Sequence, residues 1–355
     1  MLMLVVGLMV SGGVVTAGDV SCGDTLTTDT TLHEDLTCIT TPGLIIGADD
    51  ITVDLNGHTI TGAACGFCHG IRNGDSDADD PFQAGTSSGF SDVTIKNGTV
   101  EGFEQGIRGW EVSGFTIKDM VVKDQTSSNA IDILHSSDVR IKDTTVTIGI
   151  GLAPEAIRLE NVDGATVKNV DVDGGSVGVN FGCAPCNTGE QTNGVIIDSS
   201  FANNGNGILL ASTTDAMVRR NTVTDSAGSS ILVGLSFLNG VFGFPADAFP
   251  AITGVKLFDN TVVDSGSNGI LLVQTSGSNL FGNTITGSAG RGIWLINGSS
   301  LIGASVSGDS TGNNLFRNTA TGNGGNDMEH DAGSTPNKWK KNTCVTSSGA
   351  DIDCP

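Results

Sequence analysis

Val93-Thr94-Ile95-Lys96-Asn97-Gly98-Thr99-Val100 is followed by Phe115-Thr116-Ile117-Lys118-Asp119, and the pattern returns as Val139-Arg140-Ile141-Lys142-Asp143 and Ala165-Thr166-Val167-Lys168-Asn169. Each copy alternates apolar and polar residues and closes on Asn or Asp, which reads as a short strand running into a turn. Followed along the chain, the closing polar residue falls at 97, 119, 143, 169, 199, 221, 260, 283, 318 and 342. A second pattern alternates with the first: Asn129-Ala130-Ile131-Asp132-Ile133, Asn206-Gly207-Ile208-Leu209-Leu210, Asn268-Gly269-Ile270-Leu271-Leu272 and Arg291-Gly292-Ile293-Trp294-Leu295. Self-similarity at a period of roughly two dozen residues marks a solenoid whose coils stack equivalent residues along one axis. The closing Asn, Asp and Ser residues are expected to stack at turns, where they tolerate the left-handed conformation.

Composition agrees with an all-β repeat. The 355 residues include Gly 51 and Tyr 0, with 16% charged and 38% hydrophobic residues. No stretch carries the helical period, and Pro 8 is low for a disordered chain. A net charge of -22 argues against a nucleic-acid partner, which needs clustered Lys and Arg. Met1 to Ala17 reads as a signal peptide, with an apolar run from Leu2 to Val10 and small residues through Val15-Thr16-Ala17, although no Lys or Arg precedes the run. The expected location is secreted or periplasmic, with no membrane partner once the signal is cleaved. Eight cysteines suit an oxidising compartment. They fall into four local pairs, Cys22 with Cys38, Cys65 with Cys68, Cys183 with Cys186, and Cys344 with Cys354. The outer pairs would staple segments over the open sheet edges of a solenoid.

The repeat, with Ile51-Thr52-Val53-Asp54-Leu55-Asn56-Gly57-His58-Thr59-Ile60 as its first coil, resembles that of the pectin-lyase-like superfamily over about residues 43 to 343. The resemblance implies a single-stranded right-handed parallel β-helix of about 11 coils with disulfide-stapled ends. The expected layout is a cap at 18–50, the helix at 51–343 with insertions at 74–90, 183–194, 235–253 and 297–313, and a second cap at 344–355. A monomer is expected. The superfamily includes polysaccharide lyases, hydrolases and epimerases, and a periplasmic protein that helps copper-site assembly in nitrous-oxide reductase. The coil is specific for fold and weak for function. Catalytic signatures of the enzymes are mostly absent. Arg140-Ile141-Lys142 is present, but His69-Gly70 follows Cys68, Asp79-Asp80 lies after it, and no tyrosine exists to serve as an acid.

Alternation puts Ile131, Ile157, Val179, Ile208, Ile231, Ile270 and Ile293 inward. One residue later lies an outward row: Arg72, Arg108, Asp132, Arg158, Asn180, Leu209, Leu232, Leu271, Trp294 and Glu329. Its first half is charged and its second apolar. Three arginines suit a uronate polymer, because a guanidinium pairs bidentately with a carboxylate. On that reading Arg72, Arg108, Arg158, Asn180 and Trp294 bind the chain, and His69, Asp132 and His135 are the candidate catalytic groups. The other reading is a surface ion-pair ladder with Asp132 held between Arg108 and Arg158, which would lower its pKa and make it a poor base.

Asp75, Asp77, Asp79 and Asp80 could hold Ca²⁺ or simply form a solvated loop. Cys65-Gly66-Phe67-Cys68-His69 has the form of a c-type haem attachment site, but Cys183-Ala184-Pro185-Cys186 repeats the spacing without His, which favours local stapling. A zinc site shared by the two pairs is disfavoured, since they lie several coils apart. Phe237, Phe242, Phe244 and Phe249 would let the 235–252 insertion fold over the apolar half of the row. The leading expectation is a β-helix that binds an acidic polysaccharide and, if it is an enzyme, cleaves or epimerises it. The competing one is a non-catalytic scaffold or binding protein, the copper-assembly type included.

Overall fold

The computed structural model describes residues 20–62, 68–74, 89–149, 154–182, 191–234, 252–296, 309–331, 333–334, 336–349, 351–352 and 354. The signal-peptide stretch, Cys65, Asp75, Asp77, Asp79, Asp80, Cys183, Cys186 and the four phenylalanines of the 235–252 insertion lie outside them.

The described chain is all β, and every strand pairing is parallel to its neighbour one coil away. One sheet of thirteen strands runs the length of the molecule. It begins at Asp24–Leu26 and Leu44–Ile46 and ends at Ser347–Ser348, so the stacking continues into both segments read as caps. The strands of the first repeat motif make the other two walls. Thr94–Glu101, Thr116–Lys123, Arg140–Thr147 and Thr166–Asp173 each span eight residues and bend at Asn97, Asp119, Asp143 and Asn169, whose φ values are 59°, 53°, 51° and 52°. Later coils break at that bend into separate strands, as in Val195–Ile197 and Ser200–Ala202. Each coil is therefore three-sided, and in four of the later coils a short extra strand, Gln191–Thr192, Thr213–Thr214, Ile252–Thr253 or Thr275–Ser276, adds a small four-stranded parallel sheet at one corner. We call the thirteen-stranded sheet sheet 1, and the sides before and after the bend sheets 2 and 3.

The core is the inside of the triangle. Ile107, Ile131, Ile157, Val179 and Ile208 of sheet 1 are fully buried, as are Ile95, Ile117 and Ile141 of sheet 2 and Val100, Val122 and Val146 of sheet 3. Each such side chain contributes about 1.5–3 kcal/mol on burial. The inward row expected on sheet 1 is the observed one.

The row of closing polar residues differs from its expectation over the second half of the chain. From residue 198 on, the left-handed position falls one residue earlier, at Asp198 (55°), Arg220 (53°), Asp259 (53°), Arg317 (56°) and Lys341 (54°). The residues after Arg220, Asp259, Gly282 (68°), Arg317 and Lys341, namely Asn221, Asn260, Asn283, Asn318 and Asn342, are buried, as is Ser199 after Asp198. They form a ladder. Asn283 Nδ2 donates to Leu257 O at 2.8 Å and to Asn318 Oδ1 at 2.8 Å, while its Oδ1 accepts from Asn260 N at 3.1 Å and Asn260 Nδ2 at 2.9 Å. An interior amide is tolerated here because both of its donors and both of its lone pairs are used.

Disulfides Cys22–Cys38 and Cys344–Cys354 staple the two ends. Cys68 is also disulfide-bonded, which removes it as a haem attachment point.

Candidate functional site

The outward row of sheet 1 is in the expected register, with Arg72 beside Arg108, then Asp132, Arg158 and Asn180, and on through Leu209, Leu232, Leu271, Trp294 and Glu329. Although it faces away from the triangle, the charged half is largely withdrawn from solvent. Asp132 is 0% exposed and Arg108 9%. A charge can be held there only if it is paired and hydrogen-bonded.

Asp132 meets that requirement in full. Arg158 donates from Nε to Oδ1 at 2.7 Å and from Nη2 to Oδ2 at 3.2 Å. Gln105 Nε2 donates to Oδ2 at 3.0 Å and Asn129 Nδ2 to Oδ1 at 3.3 Å. Arg108 does not close on Asp132 in the same way. Its Nη1 donates to Gln105 Oε1 at 3.1 Å, and its guanidinium lies 5.9 Å from the centre of the Trp110 ring. Burial works to lower the Arg158 pKa, but Asp132, with Glu160 and Glu155 behind it, outweighs burial and holds it above the ordinary value. For Arg108 burial prevails, opposed by Asp132, and its pKa is lowered.

A second row runs beside the first, three residues earlier in each coil: His69, Gln105, Asn129 and Glu155. His69 belongs to the Asp132 network. Burial, then Arg108 and Arg72, push its imidazole down to about 4. Glu155 goes the other way. Burial drives its carboxyl up to about 7, against Arg158 and a hydrogen bond from Asn180 Nδ2 to Oε1 at 2.9 Å. Arg108 Nε, Glu155 Oε2 and Asn180 Oδ1 are among the buried polar atoms of these two rows without a hydrogen-bond partner.

His135 is not brought to this network. It sits in the left-handed conformation, φ 51°, inside the strand Ile131–Ser137, three residues beyond Asp132. Its ring stands edge-on to Trp110 at 4.8 Å, and its Nδ1 lies 2.8 Å from Asn161 Nδ2. There it lines a shallow cleft with Glu111, Ser137, Asn161 and Asp163. It acts electrostatically on Glu160, beside the Asp132 group. Trp294 is also engaged. The Arg291 guanidinium sits 3.7 Å from its ring centre, and Nε1 donates to Asp331 Oδ1 at 3.0 Å. Leu271, Val273 and Ile296, with Leu232 and Trp294 against them, form an apolar cluster of their own on this face.

Sequence reasoning missed Gln105, Asn129, Glu155 and Glu160. The signal was present for the first three, since they occupy the leading Asn position of the second repeat motif, one helix corner away from the row that was read.

Residues 129–311, just over half of the chain, match the family model described as the right-handed β-helix region. The chain belongs to this right-handed β-helix family. A search of the curated proteins gives no match. Among solved structures, the A-module of Azotobacter vinelandii mannuronan C-5 epimerase AlgE6 is similar at a TM-score of 0.63 and 16% identity, covering 96% of this chain and 87% of that one. A tailspike protein of E. coli bacteriophage HK620, in complex with a pentasaccharide, gives 0.62 at 11% identity and covers 92% and 60%. A variant of the periplasmic alginate epimerase AlgG gives 0.52 at 10% identity and covers 89% and 78%. Identities this low carry the β-helix fold and nothing finer. Among the described residues no group of three or more His, Cys, Asp or Glu could hold a metal ion.

Proposed function

We propose that this β-helix protein binds an acidic, uronate-type polysaccharide across the charged half of sheet 1, in a secreted or periplasmic setting. The observation that carries the reading is Arg72 standing in register beside Arg108 on adjacent coils of sheet 1, with the Arg108 guanidinium hydrogen-bonded to Gln105. Arg72 and Arg108 bring positive charge to the same face of an otherwise acidic molecule. The solved structures that share the fold include two alginate epimerases and a tailspike holding a pentasaccharide, which supports sugar chains as the ligand class.

Within this reading, Glu155 is the group placed to exchange a proton near neutral pH, and a lyase, hydrolase or epimerase step would be assigned to it before Asp132. Binding without turnover is favoured by Asp132 itself, whose oxygens are spent on Arg158, Gln105 and Asn129. The test compares oligouronates with neutral oligosaccharides of equal length by calorimetry. Wild type should bind only the anionic set, and Arg72→Gln with Arg108→Gln should weaken it about tenfold or more. Equal affinity for both sets would refute the proposal. Release of unsaturated uronate or reducing ends that Glu155→Gln abolishes would add catalysis to it.

A further inference from the structure

The lysines of the first repeat motif play no part in that site. They lie on sheet 2, where Lys96, Lys118, Lys142 and Lys168 stand in register on successive coils. The same row continues through Ile197 and Arg219 to Phe258, Phe281, Phe316 and Lys340. Each alternates with a buried core residue, Leu257, Leu280, Leu315 or Trp339 over the last four coils, so the row faces outward.

The three phenylalanines make a continuous surface. Phe258 meets Phe281 edge-on at 6.4 Å, and Phe281 stacks on Phe316 at 5.6 Å with 19° between planes. Phe281 is 37% exposed, an unusual setting for a large apolar ring. Cations gather at the Phe316 end, with Arg317 Cζ 5.1 Å and Lys341 Nζ 5.5 Å from its ring centre. From residue 265 to residue 326 the sequence holds a single carboxylate, Asp309, out of 39 in the chain. The Phe281–Phe316 end of the strip is thus locally positive on a protein of net charge -22, while Asp259, paired with Arg219, stands beside Phe258.

The geometry points to a second binding site on sheet 2, built from Phe258, Phe281, Phe316, Arg317, Lys340 and Lys341, for a linear anionic sugar chain lying along the solenoid axis. Charge complementarity selects an anionic ligand. Rings presented once per coil, with centroids 6.4 and 5.6 Å apart, space apolar contacts at about the repeat of a sugar unit in an extended chain. Three rings are too small an apolar area for a stable protein interface, which needs about 800 Å² per partner. The site lies on a different sheet from the proposed sheet 1 site, shares its ligand class, and does not depend on it.

The test titrates a hexameric oligouronate into the full chain by calorimetry. The variants are Phe281→Ala with Phe316→Ala, Arg317→Glu with Lys341→Glu, and the sheet 1 pair Arg72→Gln with Arg108→Gln. Both sheet 2 variants alter exposed or half-exposed groups, and unchanged thermal midpoints check that they fold. The expected result is loss of one molar equivalent, or an affinity drop of about tenfold at that site, in each sheet 2 variant. If only the sheet 1 pair changes the isotherm, the sheet 2 site is refuted and the sheet 1 reading stands. The reverse pattern keeps the sheet 2 site and refutes the other. Oligouronate binding intact in the sheet 2 variants, with lost sedimentation on phosphatidylglycerol vesicles, would assign the strip to a lipid surface and overturn the inference.

Discussion

Arg158 reaches across one coil to grip Asp132 at two points, Nε to Oδ1 at 2.7 Å and Nη2 to Oδ2 at 3.2 Å. The Asp132 side chain is 0% exposed and that of Arg158 25%, so the pair is lopsided: one partner wholly buried, the other a quarter in contact with water. Removing the arginine strands a buried carboxylate, whereas removing both charges does not. Arg158→Met should therefore cost about 3–5 kcal/mol. Adding Asp132→Asn to it should recover most of that loss. Denaturant unfolding of the two variants checks this, and equal losses in both would show that packing, not charge, sets the cost.

Glu155 and His69 should make opposite contributions to stability as pH changes. Glu155, with its pKa raised from 4.5 to about 7, contributes fully below 4.5, and the contribution fades as pH rises through 7. His69, lowered from 6.5 to about 4, contributes fully above 6.5 and fades as pH falls through 4. Between 4.5 and 6.5 the two slopes have opposite sign and cancel. Glu155→Gln should unmask the His69 slope, so that stability relative to wild type climbs with pH by up to about 3 kcal/mol. Thermal midpoints of the variant and wild type at matched pH give the difference curve. A flat difference would show that Glu155 ionises in the folded protein as it does in water.

The Cys22–Cys38 bridge closes a loop with a sequence separation of 16. It ties the strand Leu36–Cys38 to the segment leading into Asp24–Leu26, the first strand of sheet 1. Cys22→Ser with Cys38→Ser should lower stability by about 3 kcal/mol on chain-entropy grounds. Because coils contact only their neighbours, the loss should be local. Hydrogen exchange should accelerate in residues 24–46 and stay unchanged around Ile270. Uniform acceleration would mean that the solenoid unfolds as one unit.

Much of this fold could be read from sequence because a strand's period of two fixes which side chain faces in. Choosing Ile131 as core placed Asp132 outside, and register then carried that choice through every coil from Arg72 to Glu329. What could not be read was burial on the outside. Alternation says that Asp132 points away from the core, but not that Gln105, Asn129 and Arg158 would shut it off from water. Glu155 was missed for a related reason. It sits at a corner, where two consecutive residues turn away from strict alternation. The asparagine row slipped because the motif was aligned on its polar letter. Aligning on the core residues, Ile95 with Ile196 and Val218, would have put Asp198 and Arg220 at the bend and Asn221 inside.

The ladder that this slip concealed gives a prediction of its own. Asn283 is fully buried, and its amide serves four bonds: two accepted from Asn260 and two donated, to Leu257 O and Asn318 Oδ1. Asn342 stands at the end of the row, accepting from Asn318 N and Nδ2 but donating only to Leu315 O. Truncating the interior member leaves the Asn260 amide and the Leu257 carbonyl unsatisfied in an apolar triangle that water does not reach. Asn283→Ala should thus cost about 3 kcal/mol or more, and Asn342→Ala clearly less, because one fewer bond is lost and the terminal coil frays into solvent. Leucine at either position does not rescue, since it fills the space without giving the backbone groups a partner. Unfolding free energies rank these variants. If Asn342→Ala matched Asn283→Ala, the asparagines would be acting through volume, and the ladder's hydrogen bonds would contribute nothing net.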